Sequence, residues 1–198
     1  IITRYNIANN WNSVLTDTGA NAGRFGAGTQ AYSLNEAGVT HMRLGHSGLP
    51  LVSKMIAGIW IKHGATIGLS NALLMFRHSG ASQVDVVYTS ESHLELYCGG
   101  VLRGSSTSII ASGVFNGIEL EAHWHPTAGS ATVYISGAFF LSFTGSTTTA
   151  GASGLDEGLY GRATGAAVTF DDFYLFDDQG DTNTTRIGSN CRIRLHRV

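Results

Sequence analysis

Two glutamates two positions apart, Glu119 and Glu121, are the first pair in the sequence able to do chemistry. On an extended strand such neighbours share a face. A retaining glycosidase needs two carboxyl groups about 5 to 5.5 Å apart. Trp124 and the apolar Leu120 and Ala122 read as the opposite, inward face of the same strand. The pair is therefore expected to be two solvated carboxylates. His123 and His125 follow on the glutamate face as an H-x-H pair. Such a pair binds zinc when a third ligand arrives from a neighbouring strand. Only Glu121 stands adjacent on that face, so surface histidines are expected. A sugar site needs an aromatic platform beside polar hydrogen-bonding groups. Tyr97 and Glu95, outward on the segment His93 to Cys98, together with Glu121 and His123, make the candidate platform. No nucleophile elbow, Ser-His-Asp order or phosphate-binding glycine loop is present, and the chain is expected not to be an enzyme.

Oxygen-rich chemistry is concentrated near the end of the chain. Asp177, Asp178 and Asp181 could hold Ca²⁺, although no Glu stands at position 12 of a loop starting at Asp177. The stronger expectation is a turn rich in Asx capping and no cofactor. Asp171 and Asp172 are expected to be structural. Alternation puts Asp172 on the side of Tyr174 and Phe176 and Asp171 on the side of Phe173 and Leu175, so one carboxylate faces inward and needs hydrogen-bond partners. The final segment, Asn190 to Val198, alternates Cys191, Ile193 and Leu195 against Arg192, Arg194 and His196.

The elements that must position these residues are strands. Lys54 to Lys62 (KMIAGIWIK) reads as a strand buried on both sides or nearly so. Gln83 to Tyr88, His93 to Cys98, Gly117 to His125 and Ala131 to Ser136 alternate with period two. Gly137 sits where a tight hairpin needs a positive φ. Inward positions are expected at Ile59, Trp60, Leu74, Phe76, Leu94, Leu96, Leu120, Trp124, Val133, Ile135, Tyr174, Ile193 and Leu195. Gly, Ser, Thr and Asn clusters break the series, and Gly145 to Gly154 (GSTTTAGASG) reads as a flexible loop. No segment keeps a capped 3.6-residue pattern, and no repeat is evident. Ten or more short strands of this kind specify one antiparallel two-sheet β-sandwich of jelly-roll type. A single domain over 1–198 is expected, with 1–24 as an N-terminal extension or docking arm.

Composition narrows the partners. The 198 residues carry 12 Lys and Arg against 14 Asp and Glu, a net charge of −2, which argues against nucleic acid. No apolar run approaches the roughly 18 residues of a membrane span. Charged residues are only 13% of the chain, while Gly, Ala, Ser and Thr together number 84. So few solvating groups suit a protein held among copies of itself in an assembly. The two cysteines, Cys98 and Cys191, make no disulfide framework and read as buried thiols. Ile1-Ile2-Thr3-Arg4 shows no signal-peptide pattern, which reads as a processed, trimmed or incompletely covered start.

One resemblance runs through these segments. Thr169-Phe170-Asp171-Asp172-Phe173-Tyr174-Leu175-Phe176, the acidic turn through Gly180, then Arg186-Ile187-Gly188 and Arg192-Ile193 resemble the end of laminin-G-like, concanavalin A-like sandwich proteins of tailed-phage virions. Ile56 to Lys62 is similar to their first long core strand, and Phe115 to Trp124 with the hairpin around Gly137 to their tryptophan strand. The resemblance implies the two-sheet sandwich and a virion location. It implies a structural role in capsid decoration, neck or tail, with other virion proteins as partners. Some such proteins bind sugars or calcium, so a lectin-like module for host glycans is the alternative. The enzymatic branch carries an E-x-D-x-x-E strand. Here Glu121 and Trp124 stand at its second and third acidic positions.

Overall fold

The computed structural model describes residues 22–23, 26–30, 32–34, 44–64, 71–107, 110–160, 168–178 and 185–188. The expected inward residues Ile193 and Leu195, and the proposed arm up to residue 21, lie outside them. The described residues contain no helix. Among the described residues fourteen strands run in chain order: β1 (Ala22–Gly23), β2 (Gly26–Gln30), β3 (Tyr32–Leu34), β4 (Leu44–Val52), β5 (Lys54–His63), β6 (Asn71–His78), β7 (Ala81–Tyr88), β8 (Leu94–Cys98), β9 (Val101–Ser105), β10 (Asn116–His123), β11 (Gly129–Ile135), β12 (Ala138–Gly145), β13 (Leu155–Tyr160) and β14 (Val168–Asp177).

Beyond the short β1–β2 pair they form two six-stranded antiparallel sheets. The first has the order β4-β13-β6-β7-β8-β9 and the second β12-β11-β10-β5-β14-β3. The chain is thus an all-β sandwich. Between the sheets lies one apolar core that includes Leu74, Phe76, Val84, Val86, Leu94 and Leu96 from the first sheet. Ile59, Ile118, Leu120, Ala122 and Val133 meet them from the second. Period-two alternation produces this division directly. Leu94, Leu96 and Cys98 are buried in β8, while Glu95 and Tyr97 between them are half-buried on the other side. Burial pushes the Cys98 thiol up to about 12, so it packs as an inert small hydrophobe.

β5 is central, paired with β10 on one side and β14 on the other. Met55, Ala57, Ile59 and Ile61 face the shared core. Ile56, on the opposite face, is also fully buried, so the two-sided burial expected of this segment is present. Two expected inward residues are not in the core. Trp60 is half-buried on the outer face, its indole lying against Gly117 in the neighbouring strand. Tyr174 is buried, but its ring covers Gly58 on the outer face of the second sheet. In both cases a glycine on the adjacent strand leaves room for an aromatic ring.

The Asp171-Asp172 stretch departs from strict alternation. Asp171 pairs with Trp60 and Tyr174 with Gly58, so two residues, Asp172 and Phe173, oppose the single residue Ile59. This is a β-bulge. Asp172 is buried and takes a φ of 45°, and its amide donates to Asp171 Oδ1 at 2.8 Å. The bulge puts Asp171, not Asp172, on the side of Tyr174. A left-handed backbone excludes β-branched residues most strongly. Asp172→Val should therefore lie about 1 to 2 kcal/mol below Asp172→Gly in urea unfolding. Equal midpoints would show that the bulge relaxes freely.

The glycine- and threonine-rich segment after β12 is pinned rather than loose. Gln83, almost fully buried, accepts from Thr149 N at 2.8 Å and Thr148 Oγ1 at 3.1 Å and donates to Thr149 Oγ1 at 2.8 Å. Thr147 is fully buried, and its hydroxyl donates to His123 O and accepts from His125 N, each at 3.0 Å. The low complexity of the sequence concealed these side-chain contacts.

Candidate functional site

On the outer face of the first sheet, β7 and β8 pair so that Asp85 lies opposite Tyr97 and Val87 opposite Glu95. The next strand, β6, sets Met75 opposite Asp85. Inward packing of Val84, Val86, Leu94 and Leu96 forces these intervening side chains outward. The Tyr97 hydroxyl donates to Glu95 Oε2 at 2.8 Å. That bond, with lesser burial, raises the phenol above its ordinary value, so Tyr97 presents a neutral ring. Ser82 donates to Asp85 Oδ1. Arg77, reaching Gly80 O through Nη2, adds a positive field beside Asp85. Burial nevertheless raises the Asp85 carboxyl above its ordinary value, and Ser82 and Arg77 only partly offset it.

This arrangement has a pH consequence. A carboxyl raised in the folded state binds a proton that the unfolded chain has already lost. Stability therefore falls as pH rises from the ordinary carboxylate value through the raised one. Asp85→Asn should flatten that part of the profile and be the more stable protein at neutral pH. Denaturation midpoints at pH 4 to 7 check it, and parallel profiles for the two proteins would contradict it.

The second sheet presents Glu119, Glu121 and His123 on its own outer face, since Leu120 and Ala122 enter the core. Tyr97 and Glu95 therefore lie on one outside of the sandwich and Glu121 and His123 on the other. The four residues do not share a platform. Alternation along a strand separates in from out, but it does not say which sheet owns the strand. Glu121 Oε1 is 2.7 Å from Lys54 Nζ in a half-exposed ion pair. His123 is exposed. The Nδ1 of His125 accepts from Thr127 N at 3.1 Å and Ala128 N at 2.8 Å, which uses that ring nitrogen to close a turn.

Glu119 departs most from expectation, for it is 5% exposed. Tyr174 Oη donates to its Oε1, Gly188 N donates to the same oxygen at 3.0 Å, and Arg186 Nη1 donates to Oε2 at 2.8 Å. The Arg186 guanidinium also lies 3.3 Å over the Tyr134 ring centroid. Residues 185–188 thus cover this part of the sheet. Burial, followed by the bond to Glu119, raises the Tyr174 phenol well above its usual range. Glu119 is a structural anchor, and it is separated by these contacts from Glu121 as any two-carboxylate site.

Of the acidic turn, Asp177 and Asp178 are described and half-buried, with Ser53 Oγ donating to Asp178 Oδ2 at 2.5 Å. Asp181 lies outside the described residues. Among those described, no group of three or more His, Cys, Asp or Glu is placed to hold a metal ion.

No protein-family model matches the sequence, and no curated protein matches it. Solved structures do. The chain is similar to an endo-β-1,4-glucuronan lyase from the fungus Trichoderma reesei, with 14% identity, 85% of this chain, 91% of that one and a TM-score of 0.60. It is similar to a sialidase at 7% identity and a TM-score of 0.56, over 76% of this chain and 15% of that one. The binding domain of botulinum neurotoxin DC, solved in complex with SialylT, matches at 10% identity and a TM-score of 0.55 over 87% of this chain and 43% of that one. At these identities the likeness establishes the sandwich fold.

The matches correct one expectation. The missing nucleophile elbow, Ser-His-Asp order and phosphate-binding loop, with the unmatched carboxylate signature, predict a chain that is not an enzyme. Yet the fold is similar, across 85% of this chain, to that of a glucuronan lyase, an enzyme. Being non-enzymatic does not follow from missing signatures.

Proposed function

We propose that the chain is a carbohydrate-binding β-sandwich module whose ligand face is the outer surface of β6, β7 and β8. The observation that carries the reading is the Tyr97–Glu95 hydrogen bond at 2.8 Å, set in register beside Asp85. An aromatic ring held by one carboxylate, with a second carboxyl alongside, combines an apolar sugar-stacking surface with acceptors for hydroxyl groups. Two matched proteins support the class. One is the neurotoxin domain in complex with SialylT. The other is botulinum neurotoxin type C, whose cell entry is dependent upon interaction with two ganglioside molecules, with 11% identity, 77% of this chain, 40% of that one and a TM-score of 0.53. On a virion, the setting implied by the sequence resemblance, such a module would serve attachment to host surface glycans.

A glycan array probed with the full chain, with and without Ca²⁺, tests the reading. Tyr97→Ala should weaken every positive glycan about tenfold or more, a loss of about 1.4 kcal/mol. Tyr97→Phe, which keeps the ring, should weaken it less. An array with no positive glycan, or an unchanged Tyr97→Ala, would overturn the assignment.

A further inference from the structure

Register across β6 to β9 narrows the class of sugar that the proposed face can take. Met75, Asp85 and Tyr97 lie opposite one another on β6, β7 and β8, and Leu102 of β9 continues the row opposite Tyr97. Leu102 is 47% exposed, so the row ends in an apolar side chain beside the tyrosine. Directly opposed residues of paired strands share a face and touch. Tyr97 and Leu102 thus make one apolar strip, suited to the C–H face of a sugar ring.

Two carboxyls flank the strip. Glu95 stands two residues before Tyr97 on β8, and Asp85 faces Tyr97 from β7. Tyr97 occupies Glu95 Oε2 and Ser82 occupies Asp85 Oδ1, which leaves each carboxyl a second oxygen for an incoming donor. The arginines of these four strands have partners within the chain. Arg103 of β9 lies over the Phe143 ring of the second sheet, 4.6 Å from its centroid. Arg77 of β6 donates through Nη2 to Gly80 O, and its charge acts on Asp85. Negatively charged acceptors receive hydroxyl and ammonium donors and repel carboxylates. A sugar carboxylate brought beside Asp85 and Glu95 bears either that repulsion or the cost of protonating one of the acids, whereas an ammonium favours the ionised form of both. We propose, building on the sugar-binding reading above, that this face takes neutral and amino sugars and discriminates against sugars that carry a carboxylate, such as sialic and uronic acids, with Glu95 and Asp85 setting that selectivity.

The test is an array of matched glycans probed with the full chain: lactosides with and without a terminal sialic acid, glucose oligomers beside glucuronic acid oligomers, and chitin oligomers beside their de-N-acetylated forms. Neutral and amino members should be the positive ones. Each acidic member should bind more weakly than its neutral counterpart by about tenfold or more, the size of a like-charge repulsion at close range. Raising NaCl from about 0.15 M to about 1 M should shrink that ratio, because the screening length falls. Glu95→Gln and Asp85→Asn keep the size of each side chain and remove its charge, and each should narrow the ratio by about threefold or more. Unchanged circular dichroism confirms that both variants fold. A purely structural role for the two carboxyls would weaken all glycans alike and leave the ratio untouched. That result, or acidic glycans bound as tightly as their neutral counterparts, would overturn the inference while the sugar-binding reading stands. An array with no positive glycan removes both.

Discussion

Glu119→Ala should lower the unfolding free energy by about 3 to 5 kcal/mol, the range for removing one partner of a buried charge pair. The carboxylate receives three donors, from Tyr174, Gly188 and Arg186. Truncation leaves the buried Tyr174 hydroxyl and the Arg186 guanidinium without their acceptor, and unsatisfied buried groups bear the full desolvation cost. Arg186→Ala should cost less, because Glu119 then keeps the Tyr174 hydroxyl and the Gly188 amide as donors. Glu119→Gln should fall between them, since an amide oxygen still accepts but carries no charge. Urea unfolding of the three variants gives the ranking. A loss below about 1 kcal/mol for Glu119→Ala, the size of an ordinary hydrogen bond, would show that residues 185–188 contribute little. The same site sets an alkaline limit. The Tyr174 phenol is raised on folding, so the folded chain holds its proton longer than the unfolded chain. Stability should decline above the ordinary phenol value, and Tyr174→Phe should remove that decline.

Gly58→Ala should cost about 2 to 3 kcal/mol by overpacking. A Cβ at Gly58 would sit 2.5 Å from Tyr174 Cζ and 2.8 Å from its hydroxyl oxygen. Tyr174 has little freedom to retreat, because its hydroxyl is tied to Glu119 and its ring packs 5.0 Å from Phe176 between centroids. The methyl group therefore both overpacks the ring and pulls the phenol from the carboxylate. Its effect should not add to that of Tyr174→Ala, since the smaller residue vacates the contested space. A double-mutant cycle in chemical denaturation measures this coupling. Simple additivity would mean that the ring moves aside without disturbing Glu119. Gly117→Ala faces Trp60 at 2.6 Å. Trp60 is half-buried where Tyr174 is buried, so the smaller loss is expected there.

Much of the sandwich could be read from alternation. Leu94, Leu96 and Cys98, or Leu120 and Ala122, enter the core because every second residue of a strand must face one way. Period two ends at the faces of a single sheet. It labelled Glu119 outward, which is correct, and solvated, which is not. Its cover comes from Arg186 and Gly188, 67 and 69 positions along the chain, and no local pattern encodes that contact. It likewise grouped Tyr97 with Glu121, although sheet membership is decided by long-range pairing. The bulge at Asp172 shifted the phase of β14 by one residue, so every face assignment across it changed. Tyr97 with Glu95 survived because both sit on one short, regular strand. Asp85 and Arg77 beside them belong to neighbouring strands and became visible only through register.

Strand order also bears on how this chain reaches its fold. β13 inserts between β4 and β6, and β14 between β5 and β3. Each sheet is thus completed by a strand that follows its neighbours by roughly a hundred residues of chain. Closing loops of that length before any pairing reward is entropically costly, and topologies dominated by such contacts fold slowly, on the order of milliseconds to seconds or longer. During synthesis the apolar β5 stays open along one edge until residues 168–177 emerge, a period in which unpaired strand edges are exposed to aggregation. The segment that carries β13 and β14, rather than the early hairpins, therefore governs when this sandwich becomes safe from its own neighbours on the polysome.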